Sequence, residues 1–173
     1  MEQNHLFNNS TDTPGIVTLR HNLLRKKCNG RDVTVTEANI YTKQAEKAIA
    51  EYRAVGISAP QLGFNFRAIS ISLSAPQHDT VSPLRICSHY FNPVITKSEG
   101  STEVVEGCLS IPGVYGKVVR STYIELDYQD IDGKAESANF FGIEAIVIQH
   151  EIDHLDGVLF IDKASDVHID FKK

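Results

Sequence analysis

Residues 141–156 constrain this chain more than any other stretch. Ile143, Ile146, Val147 and His150 fall on one broad helical face, His154 follows a turn later, and Gly157 stops the run. A helix this apolar has to be buried. It also carries Gln149-His150-Glu151-Ile152-Asp153-His154-Leu155-Asp156-Gly157, and with it a His-Glu-x-x-His spacing. Residues four apart on a helix differ by about 40° around the axis and rise by about 6 Å, so both imidazoles can reach one divalent ion. Glu151 sits at the rim of that face, where a water-activating carboxylate belongs. Taken alone, the motif also fits an ordinary helix with two surface histidines. The apolar run before His150 makes the pair semi-buried, and buried imidazoles need partners.

Two histidines leave a tetrahedral site half built. Glu106-Gly107-Cys108-Leu109-Ser110 offers Cys108 as a third, thiolate ligand. Three protein ligands with water in the fourth position make an open, catalytic arrangement, whereas a structural site closes its shell with protein. The chemistry indicated is metal-assisted hydrolysis, with Glu151 taking a proton from water and passing it to a leaving amine. The chain has 3 cysteines, and Cys28 and Cys87 read as inert core thiols. An odd, sparse set is a poor disulfide framework and fits a reducing compartment. His5, His21, His78, His89 and His168 read as solvated or locally hydrogen-bonded.

A length of 173 residues suits one domain with a real core. The net charge of −5 argues against a nucleic-acid-binding surface, and Arg25-Lys26-Lys27 is too short a basic cluster to overturn it. No run has the apolar length of a membrane span, and residues 1–15 lack an apolar signal segment, so a cytoplasmic location is expected. Those first 15 residues read as a loose arm ahead of a single domain over 16–173. Residues 16–24 hold a short helical turn, and 34–53 a helix capped by Thr36. Residues 54–63 form a loop or irregular extended segment, 66–73 a strand, and 74–83 a surface connection. Residues 84–95 are extended, with Pro93 barred from a central ladder position. A turn-rich piece at 111–116 precedes strands at 117–120 and 122–128, and the return strand of a hairpin at 135–140. Residues 158–161 are a short extended piece before a fraying tail. Without regular strand–helix alternation the natural class is α+β, with mixed or antiparallel sheets around the ligand-bearing helix.

Three ordered segments resemble peptide deformylase: Val55-Gly56-Ile57-Ser58-Ala59-Pro60-Gln61, the Cys108 segment and the His150 segment. The likeness continues through Phe91-Asn92-Pro93-Val94-Ile95, Ile111-Pro112-Gly113 and Gly157-Val158-Leu159-Phe160, covering residues 16–163. The resemblance implies hydrolysis of the formyl group from the formylmethionine terminus of new polypeptides. It implies ferrous iron in cells, replaceable by zinc, nickel or cobalt, held by Cys108, His150 and His154. Glu151 becomes the general acid–base. The Gln61 side-chain amide and the Leu109 backbone N–H become donors to the oxyanion. Gly56 lies where the substrate backbone pairs as an added strand. Val55, Ile143, Ile146 and Val147 line a methionine pocket, and Glu106, Arg120 and Asp153 brace the ligands. The expected partners are formyl-Met nascent peptides and, transiently, the ribosome, with no membrane partner, no nucleic-acid specificity and a monomeric state.

Ala54 stands where the family usually has glycine, Ser58 where it has alanine, and Lys163 where arginine is common. A hydroxyl at Ser58 needs a partner if buried. Three other readings stay open on the residues: an amidase for another acyl group, a noncatalytic metal-bearing cap for nascent chains, and a zinc peptidase. Glu151 disfavours the second, and Cys108 disfavours the third.

Overall fold

The computed structural model of the chain describes residues 15–73 and 87–170. The expected arm lies outside the described residues except for Gly15, and the expected 74–83 connection lies wholly outside them. Helix α1 spans Val35–Tyr52. Its cap is Thr34 rather than Thr36: Thr34 Oγ accepts the Glu37 backbone N–H at 3.2 Å, and the Glu37 carboxylate accepts the Thr34 N–H at 3.0 Å. The reciprocal pair requires Glu or Gln three residues after the cap; Thr34 has Glu37 there and Thr36 has only Asn39.

The 54–63 segment resolves into strand β1 (Gly56–Ser58) and a 3-10 turn over Ala59–Leu62, closed by Gly63 in the left-handed region. Then come β2 (Ala68–Ile71), β3 (Ser88–Glu99), β4 (Thr102–Cys108), β5 (Ile111–Arg120), β6 (Tyr123–Gln129), β7 (Ala135–Phe141), α2 (Gly142–Leu155) and β8 (Ser165–Ile169). All described pairings are antiparallel, forming a five-stranded sheet β1-β2-β3-β6-β7 and a three-stranded sheet β4-β5-β8. The α+β class stands, and the sheets are not mixed.

Pro93 does occupy a central strand. A register shift between Phe91 and Val94, with Asn92 at φ 48, takes it out of the β3–β6 ladder. The 111–116 piece is strand rather than turn. Cys108 pairs with Ile111 and Gly107 with Tyr115, so residues 112–114 bulge out, Gly113 supplying φ 76. The proline and glycine that read as a turn are confined to this bulge. Residues 158–161 are extended only in part: Leu159 is extended, but Phe160–Asp162 form a 3-10 turn in which Asp162 accepts the Leu159 N–H at 2.8 Å. The tail described as far as Asp170 includes β8, paired to β5.

Alternation along β2 places the helices on opposite faces of the large sheet. Ser70 donates to the Tyr41 hydroxyl of α1 at 3.0 Å, and Ala68 joins the same cluster as Ala45, Ala48, Ile49 and Phe66. Ile69 and Ile71 pack with Val147, Ile148, Ile152 and Leu155 of α2. With this apolar face on the large sheet, α2 presents His150 and His154 to β4. Gly157 ends α2 at φ 73, where an added Cβ would lie 2.9 Å from the Arg25 backbone. The helix stop is therefore also a close chain crossing, reinforced by Cys28 N–H donating to Leu155 O at 2.7 Å.

Candidate metal centre and cleft

Cys108 is the last residue of β4, and Leu109 and Ser110 make the two-residue turn into β5. This hairpin tip meets α2, so that donor atoms of Cys108, His150 and His154 all lie within 4.8 Å of one another. Cys108 Sγ is 3.2 Å from His154 Nε2. His150 is oriented by its other nitrogen, Nδ1, 2.8 Å from Glu106 Oε2, an arrangement typical of metal-binding imidazoles. Phe160 stacks on the His150 ring with centroids 6.3 Å apart.

The electrostatics suit a cation. Burial, then the charges of His150 and Arg120, push His154 well below the usual histidine range, leaving a neutral imidazole. Burial pulls His150 down too, but hydrogen bonds to Cys108 and Glu106 outweigh it and raise the ring to about 10. One positive charge is thus favoured beside the sulfur, and a divalent ion among these donors takes the place of that proton. A thiol and two imidazoles are a donor set for zinc or ferrous iron.

Arg120, only 3% exposed, braces the hairpin against the helix. It donates to both oxygens of Glu106, at 2.6 and 2.8 Å, and to Asp153 Oδ2 at 2.6 Å. Lys163 binds Asp153 from outside at 2.6 Å. Gln149 fixes the helix to the β5–β6 link, exchanging hydrogen bonds with the Ser121 N–H and carbonyl at 3.0 and 2.8 Å.

Glu151 is 4% exposed, and its Oε2 has no hydrogen-bond partner. Burial raises it to about 7, against lowering by the His150 charge and the Ser58 hydroxyl. A buried, unsatisfied carboxylate oxygen near neutrality suits a proton-transfer group. It lies against Gly56, where an added Cβ would come 2.7 Å from Glu151 Oε1 and 2.8 Å from Val147 Cγ1. Gly56→Ala is therefore expected to overpack this wall and cost about 1–3 kcal/mol. Thermal melts check this, and an unchanged melting temperature would show that the wall yields.

Gln61, 2% exposed, turns Nε2 to Cys108 Sγ at 3.4 Å and Ser110 Oγ at 3.3 Å. Both Gln61 and Leu109 line a cleft of about 720 Å³, together with Cys108, His150 and Glu151. Val55, Gly56, Ile143, Ile146 and Val147 line the same cleft. Val147 is buried, while Val55 and Ile143 stand 49% and 59% exposed, at its rim. The candidate residues therefore converge on one place, Arg120 and Asp153 from behind. Sequence reasoning missed Ser110 and Phe160, and also Val105 and Tyr115, which line the cleft. The last two belong to a strand face with no cleft signature in the sequence. The serine immediately after Cys108-Leu109 was the signal available for Ser110. Elsewhere, His89 is locally bonded as expected, between Ser70 Oγ at 2.8 Å and Glu46 at 3.2 Å.

The family model for polypeptide deformylase matches residues 14–169. A peptide deformylase of Picosynechococcus sp. is 37% identical over 155 residues, covering 88% of this chain and 80% of that protein. One from Chlorobium limicola is 41% identical over 110 residues, covering 63% of this chain and 57% of that protein, so the match spans little more than half of the relative. A crystal structure of a peptide deformylase from Synechococcus elongatus in complex with actinonin aligns at TM-score 0.79 and 31% identity, covering 91% of this chain and 84% of that one.

Proposed function

Since the chain belongs to the polypeptide deformylase family over residues 14–169, we propose that it hydrolyses the N-formyl group from the formylmethionine terminus of newly made polypeptides. Formate and a free amine are the products. The observation that carries this reading is the meeting of Cys108, His150 and His154 donor atoms within 4.8 Å of one another, beside a cleft that Cys108, His150 and Glu151 line.

Cys108, His150 and His154 hold the ion, ferrous iron in cells, with zinc, nickel or cobalt able to use the same donors. When bound, the ion supplies Lewis-acid chemistry, making water acidic and drawing charge from the formyl oxygen. Glu151 accepts a proton from the attacking water and delivers it to the departing amine as the C–N bond breaks. Gln61 Nε2 and the Leu109 N–H donate to the formyl oxygen as negative charge develops there. Ile146 and Val147, with Val55 and Ile143 at the rim, receive the methionine side chain, a burial worth roughly 1.5–3 kcal/mol. Strand β1 is the outer strand of its sheet, and the substrate backbone adds along Gly56.

The chain works as a cytoplasmic monomer that meets nascent peptides at the ribosome in passing. Its net charge of −5 supports no nucleic-acid specificity of its own. Among the described residues no helix is long and apolar enough to cross a membrane.

The test is anaerobic turnover of formyl-Met-Ala-Ser by the iron-loaded protein, with formate counted per metal. Turnover should vanish with chelator and return with ferrous iron, Ala54 and Ser58 notwithstanding. Preference for acetyl-Met peptides over formyl-Met peptides would overturn the assignment in favour of another amidase.

A further inference from the structure

Ser58 is fully buried and is the N-cap of the Ala59–Leu62 turn that carries Gln61. Its hydroxyl donates to Gln61 Oε1 at 2.8 Å, and its backbone N–H donates to the same oxygen at 2.9 Å. Both acceptor sites of that carbonyl oxygen are thereby filled. The other end of the amide, Nε2, is left to face Cys108 Sγ and Ser110 Oγ. Turning the amide over would set an N–H donor against the Ser58 backbone N–H, oblige the Ser58 hydroxyl to accept instead of donate, and put a carbonyl oxygen against the sulfur. The backbone N–H alone would bias the orientation, and the hydroxyl adds a second donor. Alanine at this position could not do so.

We propose that Ser58 is a positioning residue: its hydroxyl locks the Gln61 side-chain amide with Nε2 turned into the cleft, ready to donate to the formyl oxygen. The kinetic half of this inference rests on the deformylase reading, and the geometric half does not. The same hydroxyl adjoins Glu151, so the test has to separate a route through Gln61 from one through Glu151.

The experiment combines ¹⁵N relaxation of the Gln61 side-chain amide in zinc-loaded protein with steady-state kinetics of the iron-loaded protein. Wild type, Ser58→Ala, Gln61→Ala and the double variant are compared, with Ser58→Cys as a size-matched poorer donor should the alanine variant fold badly. The Gln61 amide should be rigid in wild type and loosen in Ser58→Ala. The kcat for formyl-Met-Ala-Ser should fall about fivefold, the worth of one neutral hydrogen bond, with KM unchanged. In the Gln61→Ala background the same substitution should change nothing. An amide equally rigid in both proteins, an unchanged kcat, or a loss that persists without Gln61 would overturn the proposal. A wild-type protein without formyl turnover, whose Gln61 amide nonetheless loosens in Ser58→Ala, would overturn the deformylase reading and leave the positioning in place.

Discussion

Glu151→Gln is expected to lower kcat for formate release by about a thousandfold, the middle of the range for loss of a general acid–base. Metal content per chain should stay as in wild type. Glutamine has nearly the shape of glutamate, so it fits between Gly56 and Val147, where the wall has no spare room. It can neither take a proton from water nor hand one to an amine. Burial raises Glu151 to about 7, so the carboxyl changes protonation near the pH at which a general acid–base would exchange protons. The variant should not be less stable, because an amide is cheaper to bury than a carboxylate whose Oε2 has no partner. Formate production and metal analysis on the same sample decide the matter. Turnover within about tenfold of wild type would remove Glu151 from the chemistry, since even weak general-base contributions exceed that. Loss of metal with activity would instead make the residue part of the binding site.

The sequence made α2 and its cargo legible because two signals coincided there. The apolar run demanded burial, and the His-Glu-x-x-His spacing put both imidazoles on one face. Cys108 was legible as a candidate ligand. Its placement was not, because it depends on a two-residue turn and a bulge over residues 112–114 that pair β4 with β5. Proline and glycine there carry a turn signal, and only the register shows that one strand absorbs it. The α1 cap illustrates the same limit at short range. Thr34 and Thr36 are equal by residue type, and Glu37 decides between them through a reciprocal hydrogen bond. Ser58 was visible as a departure that needed a partner if buried. Its partner, Gln61 Oε1, follows from an S-x-x-Q spacing at the head of a 3-10 turn, a capping pattern easily overlooked where no α-helix is expected.

Arg120→Met should be the most damaging substitution for stability outside the apolar core. The guanidinium is bonded to both oxygens of Glu106 and to Asp153, and removing one partner of a buried ion network costs about 3–5 kcal/mol. For a chain of this size that lowers the melting temperature by roughly 10 °C. Asp153 keeps Lys163 at 2.6 Å, so the charge left exposed to the cost of burial is chiefly that of Glu106. The pH dependence follows. Burial raises the Glu106 carboxyl, but the Arg120 and His150 hydrogen bonds outweigh it and hold the group at about 2. Its stabilising contribution is therefore complete above the unfolded value of about 4.3 and is lost as pH falls toward 2. Without Arg120 the foremost of the lowering contacts is gone, the folded value rises, and acid unfolding should begin at higher pH than in wild type. Glu106 also orients His150 through Nδ1, so metal affinity should fall about 10–100-fold with the loss of that support. Thermal melts from pH 3 to 8 and a competitive chelator titration read both effects. Glu106→Gln on top of Arg120→Met should recover part of the lost stability, because it removes the unpaired charge. If Arg120→Met melts within a few degrees of wild type, the arginine is not the brace between the cysteine hairpin and α2.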